Sequence, residues 1–279
     1  MQGALGVRND AANWATLCPE LIHEILSHCL SGVALIAGDP ELFPWYLGHI
    51  CQLWRSVFIS SPCFWDRFTA ENLCSKDRAS TSRFKRALAL VELCIERTKY
   101  HPFSFKFEGI ATTVNKGTNT PTIPAIQSQY SIQILETLVA HADRWRTACL
   151  SADGDGLKKS LTKAKHRFGQ LHSLQIRTFW PWERYDMPSD LFLDVPNLTR
   201  VHTTDFYQLH WSSITVLHIN SQRHGTTDKF FAKLDKMTCL EELGRLHIAG
   251  IVFHLVRLSI VTRLGAIIAL VAIAIDFRL

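Results

Sequence analysis

The sequence has no CxxC pair, no glycine-rich phosphate loop, no paired-carboxylate motif and no recognisable nucleophile–base arrangement. Its eight cysteines, at 18, 29, 51, 63, 74, 94, 149 and 239, are scattered, and several fall on the apolar face of a helical pattern. That argues against a zinc site or a disulfide framework and for free buried thiols in a reducing compartment. The opening MQGALGVRNDAANWA lacks the uninterrupted apolar core of a secretion signal, so a cytoplasmic or nuclear location is expected. Charge of one sign is also scarce. A net charge of +5 is mildly basic and well short of a nucleic-acid-binding signature. What remains is ordinary for a globular chain, 47% hydrophobic and 20% charged, and 279 residues leave room for about two domains.

The first patterned stretch is LCPELIHEILSHCL, residues 17–30. As a helix it gathers Leu21, Ile22, Ile25, Leu26, Cys29 and Leu30 on one broad face, with Pro19 in the first turn and Gly32 at the stop. HEILSH within it has the look of a zinc-protease motif, but His23 and His28 are five apart. Five residues turn a helix by about 500°, so the two rings cannot share a metal. After a loop with Pro40 and Pro44, a second amphipathic run carries Leu47, Ile50, Cys51, Trp54, Val57 and Phe58, halted by Ser60-Ser61-Pro62. Phe64-Trp65 closes the segment. Cys51, Trp54 and Val57 read as internal packing.

The ordered set of Leu17, Pro19-Glu20-Leu21, Ile25-Leu26 and Leu30, then Cys51, Trp54-Arg55, Pro62 and Trp65, resembles an F-box. Cys18 stands where that family has proline, and Gln52-Leu53 where it has a basic pair. The longer connection from Ser31 to Pro44 resembles the F-box families of mushroom-type fungi. The resemblance implies a small helical bundle over residues 14–69 that docks on a SKP-type adaptor and, through it, a cullin. It implies adaptor-facing or module-defining roles for Leu17, Pro19, Leu21, Ile25, Leu26, Leu30 and Trp65. A helical hairpin that packs only on the rest of the chain is the alternative.

Residues 70–130 read as a linking unit. Phe84, Leu88, Val91 and Ile95 fall at helical spacing, Phe103, Phe105 and Phe107 alternate as in a strand, and 109–127 reads as a polar loop. From Ser131 a helix is expected, with Leu135, Leu138, Val139 and Ala142 on its apolar face. One pattern then recurs, an apolar residue followed by others three and five positions later. It appears at Trp145/Ala148/Leu150, Leu171/Leu174/Ile176, Leu198/Val201/Thr203, Ile214/Leu217/Ile219 and Leu243/Leu246/Ile248. This spacing predicts a leucine-rich-repeat-like solenoid over 131–250, with one parallel sheet and helices at 157–167 and 226–238 outside it. The fold class expected is thus α plus α/β. AHADRWRTACLS (140–151) and LFLDVPNLTRVH (191–202) are similar to segments of fungal F-box proteins, in which the repeat end selects a protein substrate.

Other signals are weaker. KKSLTKAKHRF (158–168) reads as an outer helix face with Leu157, Leu161, Ala164 and Phe168 turned inward, its cations solvated or orienting an acidic partner. SADGDG (151–156) lacks the closing glutamate of a calcium loop and reads as a turn. Trp180, Trp182 and Tyr185 in FWPWERY are candidate substrate contacts, since such rings are enriched at interfaces; rings folded back over the core are the alternative. The apolar tail in 251–279, with LGAIIALVAIAI at 264–275, falls short of a membrane span and reads as a last strand or helix. A tail anchor, or an end that departs from the family, are the other readings. No enzyme activity, cofactor, metal, nucleic acid or membrane is expected. The function implied is substrate recognition in an SCF-type ubiquitin ligase, or, alternatively, a repeat-based scaffold outside the ubiquitin machinery.

Overall fold

The apolar periods resolve, in a computed structural model, into five α-helices and a nine-stranded sheet among the described residues. Those residues are 17–37, 44–71, 81–109, 125–179, 190–204, 207–219, 233, 236–243, 246–248, 251–253 and 256–257. The elements run α1 (Pro19–Leu30), β1 (Leu35–Ile36), α2 (Gln52–Ser60), β2 (Arg67–Ala70), α3 (Thr81–Arg97), β3 (Phe103–Glu108) and α4 (Ala125–Ala140). They continue with β4 (Trp145–Asp153), α5 (Gly154–Thr162), β5 (Ser173–Phe179), β6 (Arg200–Thr203), β7 (Val216–Ile219) and β8 (Glu242–Leu243). Three short strands follow, β9 (Leu246–Ile248), β10 (Ile251–Phe253) and β11 (Val256–Arg257).

The sheet order is β1-β2-β3-β4-β5-β6-β7-β8-β11. Strands β1 to β8 are parallel and follow chain order, and β11 lies antiparallel against β8. Parallel neighbours need a crossover, and α2, α3 and α4 lie in those between β1 and β4. One row of side chains sets the register: Leu35, Phe68, Phe105, Ala148, Leu174, Val201, Leu217 and Leu243 stand opposite one another in turn. Each is at most 4% exposed. Because side chains alternate across a strand, the residues on either side of that row point to the other, open face.

The strands are joined at their N-terminal ends by a repeated hydrogen-bond fork. The His172 carbonyl accepts from the N–H groups of Thr199 and Arg200, at 3.0 and 3.1 Å. Thr199 does the same for Thr215 and Val216, and Thr215 for Glu241 and Glu242. Within the core, rings make a continuous file from Phe68 through Phe105, Trp145, Phe168 and Phe192 to Tyr207, with centroids 4.9–6.2 Å apart. Arg144 ties α3 to β4. Its guanidinium donates to Thr98 Oγ1 and to the carbonyls of Ile95 and His101, and sits 5.3 Å from the Phe103 ring centroid.

Several expectations are corrected. Leu35–Ile36, inside the segment read as a loop, pairs with β2, because Leu35 and Ala37 continue the buried pattern. The second amphipathic run splits into a 3₁₀ turn at Trp45–His49 and α2. The expected domain limits at 69 and 130 fall inside β2 and α4, and one apolar cluster runs from Ile22 to Leu243. Helix α4 starts at Ala125, inside the expected polar loop. SADGDG is no turn: β4 ends at Asp153 and α5 begins at Gly154. Helix α5 stops at Thr162 and His166 takes a positive φ of 71°, yet Leu157, Leu161, Ala164 and Phe168 are all turned inward.

The fifth repeat is shifted by one step. Leu243, expected to begin it, occupies the middle row opposite Leu217, and buried Leu240 takes the starting place. Residues 246–248 instead pair antiparallel with 251–253 in a separate two-stranded sheet. Of the expected helix at 226–238, only Lys233 and 236–238 are described. Residues 258–279, with the apolar run, lie outside the described residues. Among the described residues no helix is long and apolar enough to cross a membrane.

Candidate interaction surfaces

Helix α1 begins at Pro19, whose missing N–H falls where no intrahelical bond is needed. Its inner face sends Ile22 and Leu26 into the core, both 0% exposed. One step round, Leu17, Leu21 and Ile25 recur every four residues. Leu17 and Ile25 lie half-buried at the margin of the core, and Leu21 is 52% exposed. Pro19 is exposed and Leu30 half-buried. Tyr46 and Ile50, on the segment leading into α2, are exposed as well. The first helix therefore carries more apolar surface than the fold covers.

Two of the proposed contact residues belong elsewhere. Leu26 is sealed in the core, and Trp65 is 2% exposed with its indole N–H donating to the Phe58 carbonyl at 2.9 Å. Arg97 lies over its ring, 4.6 Å from the centroid. Both side chains hold the fold and are closed to a partner. Trp180, Trp182 and Tyr185 lie outside the described residues.

Where α1 ends against the start of β2, a cavity of about 310 Å³ is lined by Ser27, Ser31, Cys63, Asp66, Arg67 and Arg146, among others. At its rim Cys63 Sγ is 3.6 Å from His23 Nε2. Burial and the neighbouring Asp66 carboxylate push the Cys63 thiol up, so it remains a protonated thiol at neutral pH. Burial also raises Asp66, against the pull of Arg146, Arg67 and His101. A neutral thiol beside a histidine is a poor nucleophile. Among the described residues no group of His, Cys, Asp or Glu converges as a metal site.

The open face of the sheet is polar. Beside the buried row run Lys106, Cys149, Gln175, His202 and His218, one per strand from β3 to β7. Lys106 is paired with Glu71, which holds its ammonium above the usual lysine range. His202 and His218 stack with centroids 3.7 Å apart, and His218 Nε2 lies 3.2 Å from Glu242 Oε1. Burial, then the His218 and Arg177 neighbours, push His202 down to about 4, so its ring is neutral at pH 7. Sequence reading missed this row. Its signal was present: each member follows the middle apolar residue of its strand.

The basic run at 158–168 meets its acidic partners within the chain. Lys163 pairs with Glu136 at 3.0 Å, Lys165 with Asp190 at 2.5 Å, His166 with Asp194, and Arg167 with Asp143 at 2.9 Å. These pairs tie the second half of the run to neighbouring parts of the outer layer, and Lys158 and Lys159 take no part in them.

Comparison with known proteins gives no match among family models, curated proteins or solved structures.

Proposed function

We propose that the chain is the substrate-recognition subunit of an SCF-type ubiquitin ligase, working from a cytoplasmic or nuclear location. In this reading residues 14–69 act as the F-box and dock on a SKP-type adaptor and through it a cullin. The parallel sheet acts as an irregular leucine-rich-repeat-like solenoid that holds a protein substrate. The chain contributes no bond chemistry and needs no cofactor. It raises the effective concentration of substrate beside the conjugating machinery.

The observation that carries the proposal is the apolar stripe of Leu17, Leu21 and Ile25, left partly open on a helix whose other face is already buried. An exposed aliphatic row beside a filled core is what a docking groove would cover. The F-box resemblance of the same residues supports a SKP-type adaptor as that partner. The sequential parallel sheet, with its fork of hydrogen bonds repeated from strand to strand, supports the solenoid reading.

Co-purification with the SKP adaptor tests this, comparing the parent chain with Leu21→Asp and with Leu21→Asp plus Ile25→Asp. Capture by the parent and loss in both variants is expected. No capture where another F-box protein is captured would overturn it and leave a repeat-based scaffold outside the ubiquitin machinery.

A further inference from the structure

The open face of the sheet carries one cation whose geometry is already set. Arg177 is exposed on β5. With the Gln175 amide turned so that its oxygen faces the guanidinium, that oxygen accepts from both Nε and Nη2, each at 2.9 Å. Two donors on one acceptor fix the plane of the group. The Nη1–Nη2 edge remains, and that fork matches a carboxylate with two parallel hydrogen bonds.

The neighbours of Arg177 are otherwise engaged. Lys106 on β3 is paired with Glu71, and His218 on β7 with Glu242. Glu108 lies in the same cross-strand row, but Ser151 on β4 stands between. Among the described residues no carboxylate forms an ion pair with Arg177. The large exposed apolar side chains of the described residues, Leu21, Tyr46, Ile50, Tyr100, Ile132 and Leu193, all lie off the strands. The described side chains of this face thus offer a partner charge and hydrogen bonds. Glu71, Glu108 and Glu242 are interspersed on this face with Arg67, Lys106, Arg177 and Arg200, a mixed pattern that suits spaced carboxylates rather than a continuous polyanion.

We propose that the open face of the sheet takes an extended acidic segment of a partner protein, with Arg177 as the anchor for one of its carboxylates. This rests on the reading of the sheet as the recognition end of the molecule, and it names the class of substrate. Arg177 would fix where the segment sits, and the polar row from Lys106 to His218 would supply further hydrogen bonds along it.

Fluorescence anisotropy with the full chain tests the proposal, using labelled Gly–Ser peptides that carry two glutamates, two glutamines or two lysines. The glutamate peptide should bind about tenfold more tightly than the glutamine peptide, and added salt should weaken it. Arg177→Ala should remove that preference, Arg177→Lys should keep part of it, and Arg177→Glu should transfer it to the lysine peptide. Lys159→Ala, on the outer layer, should change nothing. Urea midpoints of all variants establish that they fold.

Equal binding of the glutamate and glutamine peptides overturns the proposal, as does a preference unmoved by Arg177→Ala. Tighter binding of an oligonucleotide at the same salt does so too. Adaptor capture is measured on the same preparations. Capture without glutamate preference sinks only the acidic-segment inference, and glutamate preference without capture sinks only the ligase reading.

Discussion

Trp65 and Trp145 occupy equivalent places, each directly after a 3₁₀ turn, Trp65 leading into β2 and Trp145 beginning β4. Each donates its indole N–H to the carbonyl seven residues before it, Phe58 at 2.9 Å and Leu138 at 3.0 Å. Each is followed, three and five positions later, by buried residues: Phe68 and Ala70 in one case, Ala148 and Leu150 in the other. The tryptophan that closes the first helical stretch is thus also the first residue of a strand unit.

Trp65→Phe should therefore behave as Trp145→Phe does. Both leave a buried carbonyl without its donor, and each should cost about 1–3 kcal/mol in urea unfolding. Truncation to alanine should cost about 3–5 kcal/mol. A Trp65→Phe chain of unchanged stability that had lost its adaptor would show the ring to be a contact instead.

Leu21 and Leu26 separate surface from core on one helix. Leu26→Ala should destabilise by about 2–5 kcal/mol, since the side chain is fully enclosed. Leu21→Ala should stay within about 0.5 kcal/mol of the parent chain. The urea midpoints of the two variants, measured side by side, check this ordering.

Arg144 holds three backbone and side-chain acceptors of the α3 end at once. Arg144→Met should cost about 1–3 kcal/mol, because Thr98 and the nearby carbonyls lose a charged donor. Amide hydrogen exchange should quicken first around residues 95–101. Arg144→Lys, which keeps the charge but not the fork, should fall between.

His202 makes stability pH-dependent. Its folded value of about 4 lies below the ordinary 6.5, so the unfolded chain binds more protons between those limits. Stability is full above 6.5, falls as pH drops, and the loss is complete near 4. The half-buried ring limits this to on the order of 1 kcal/mol after solvent screening. Arg177 lies on the adjoining β5, Arg200 on the ring's own strand, His218 on β7 and Glu242 on β8. His202→Gln should flatten the acid limb of a urea-midpoint against pH curve.

The strands from Trp145 to Ile219 were legible because one period recurs with a single frame. It failed at Leu243 because two frames overlap there: Leu240 and Leu243 are spaced three apart, as are Leu243 and Leu246. Backbone bonds from Glu241 and Glu242 to Thr215 select the first. Strand β1 escaped notice because a two-residue strand leaves no period to read. The stacking of His202 on His218, and the orientation of Arg177 by Gln175, depend on cross-strand register that a linear reading does not supply.

Each parallel pair in the sheet joins strands that succeed one another along the chain. A ribosome thus delivers the units in the order in which they can dock, α1 and β1 first, each closing on a surface already built. Each new parallel strand pairs with its immediate predecessor, so docking can propagate strand by strand. At every stage one raw edge is open to stray pairing, and it moves with the newest strand. Among the described residues the reversed β11 caps the edge of β8, ending the run of parallel additions.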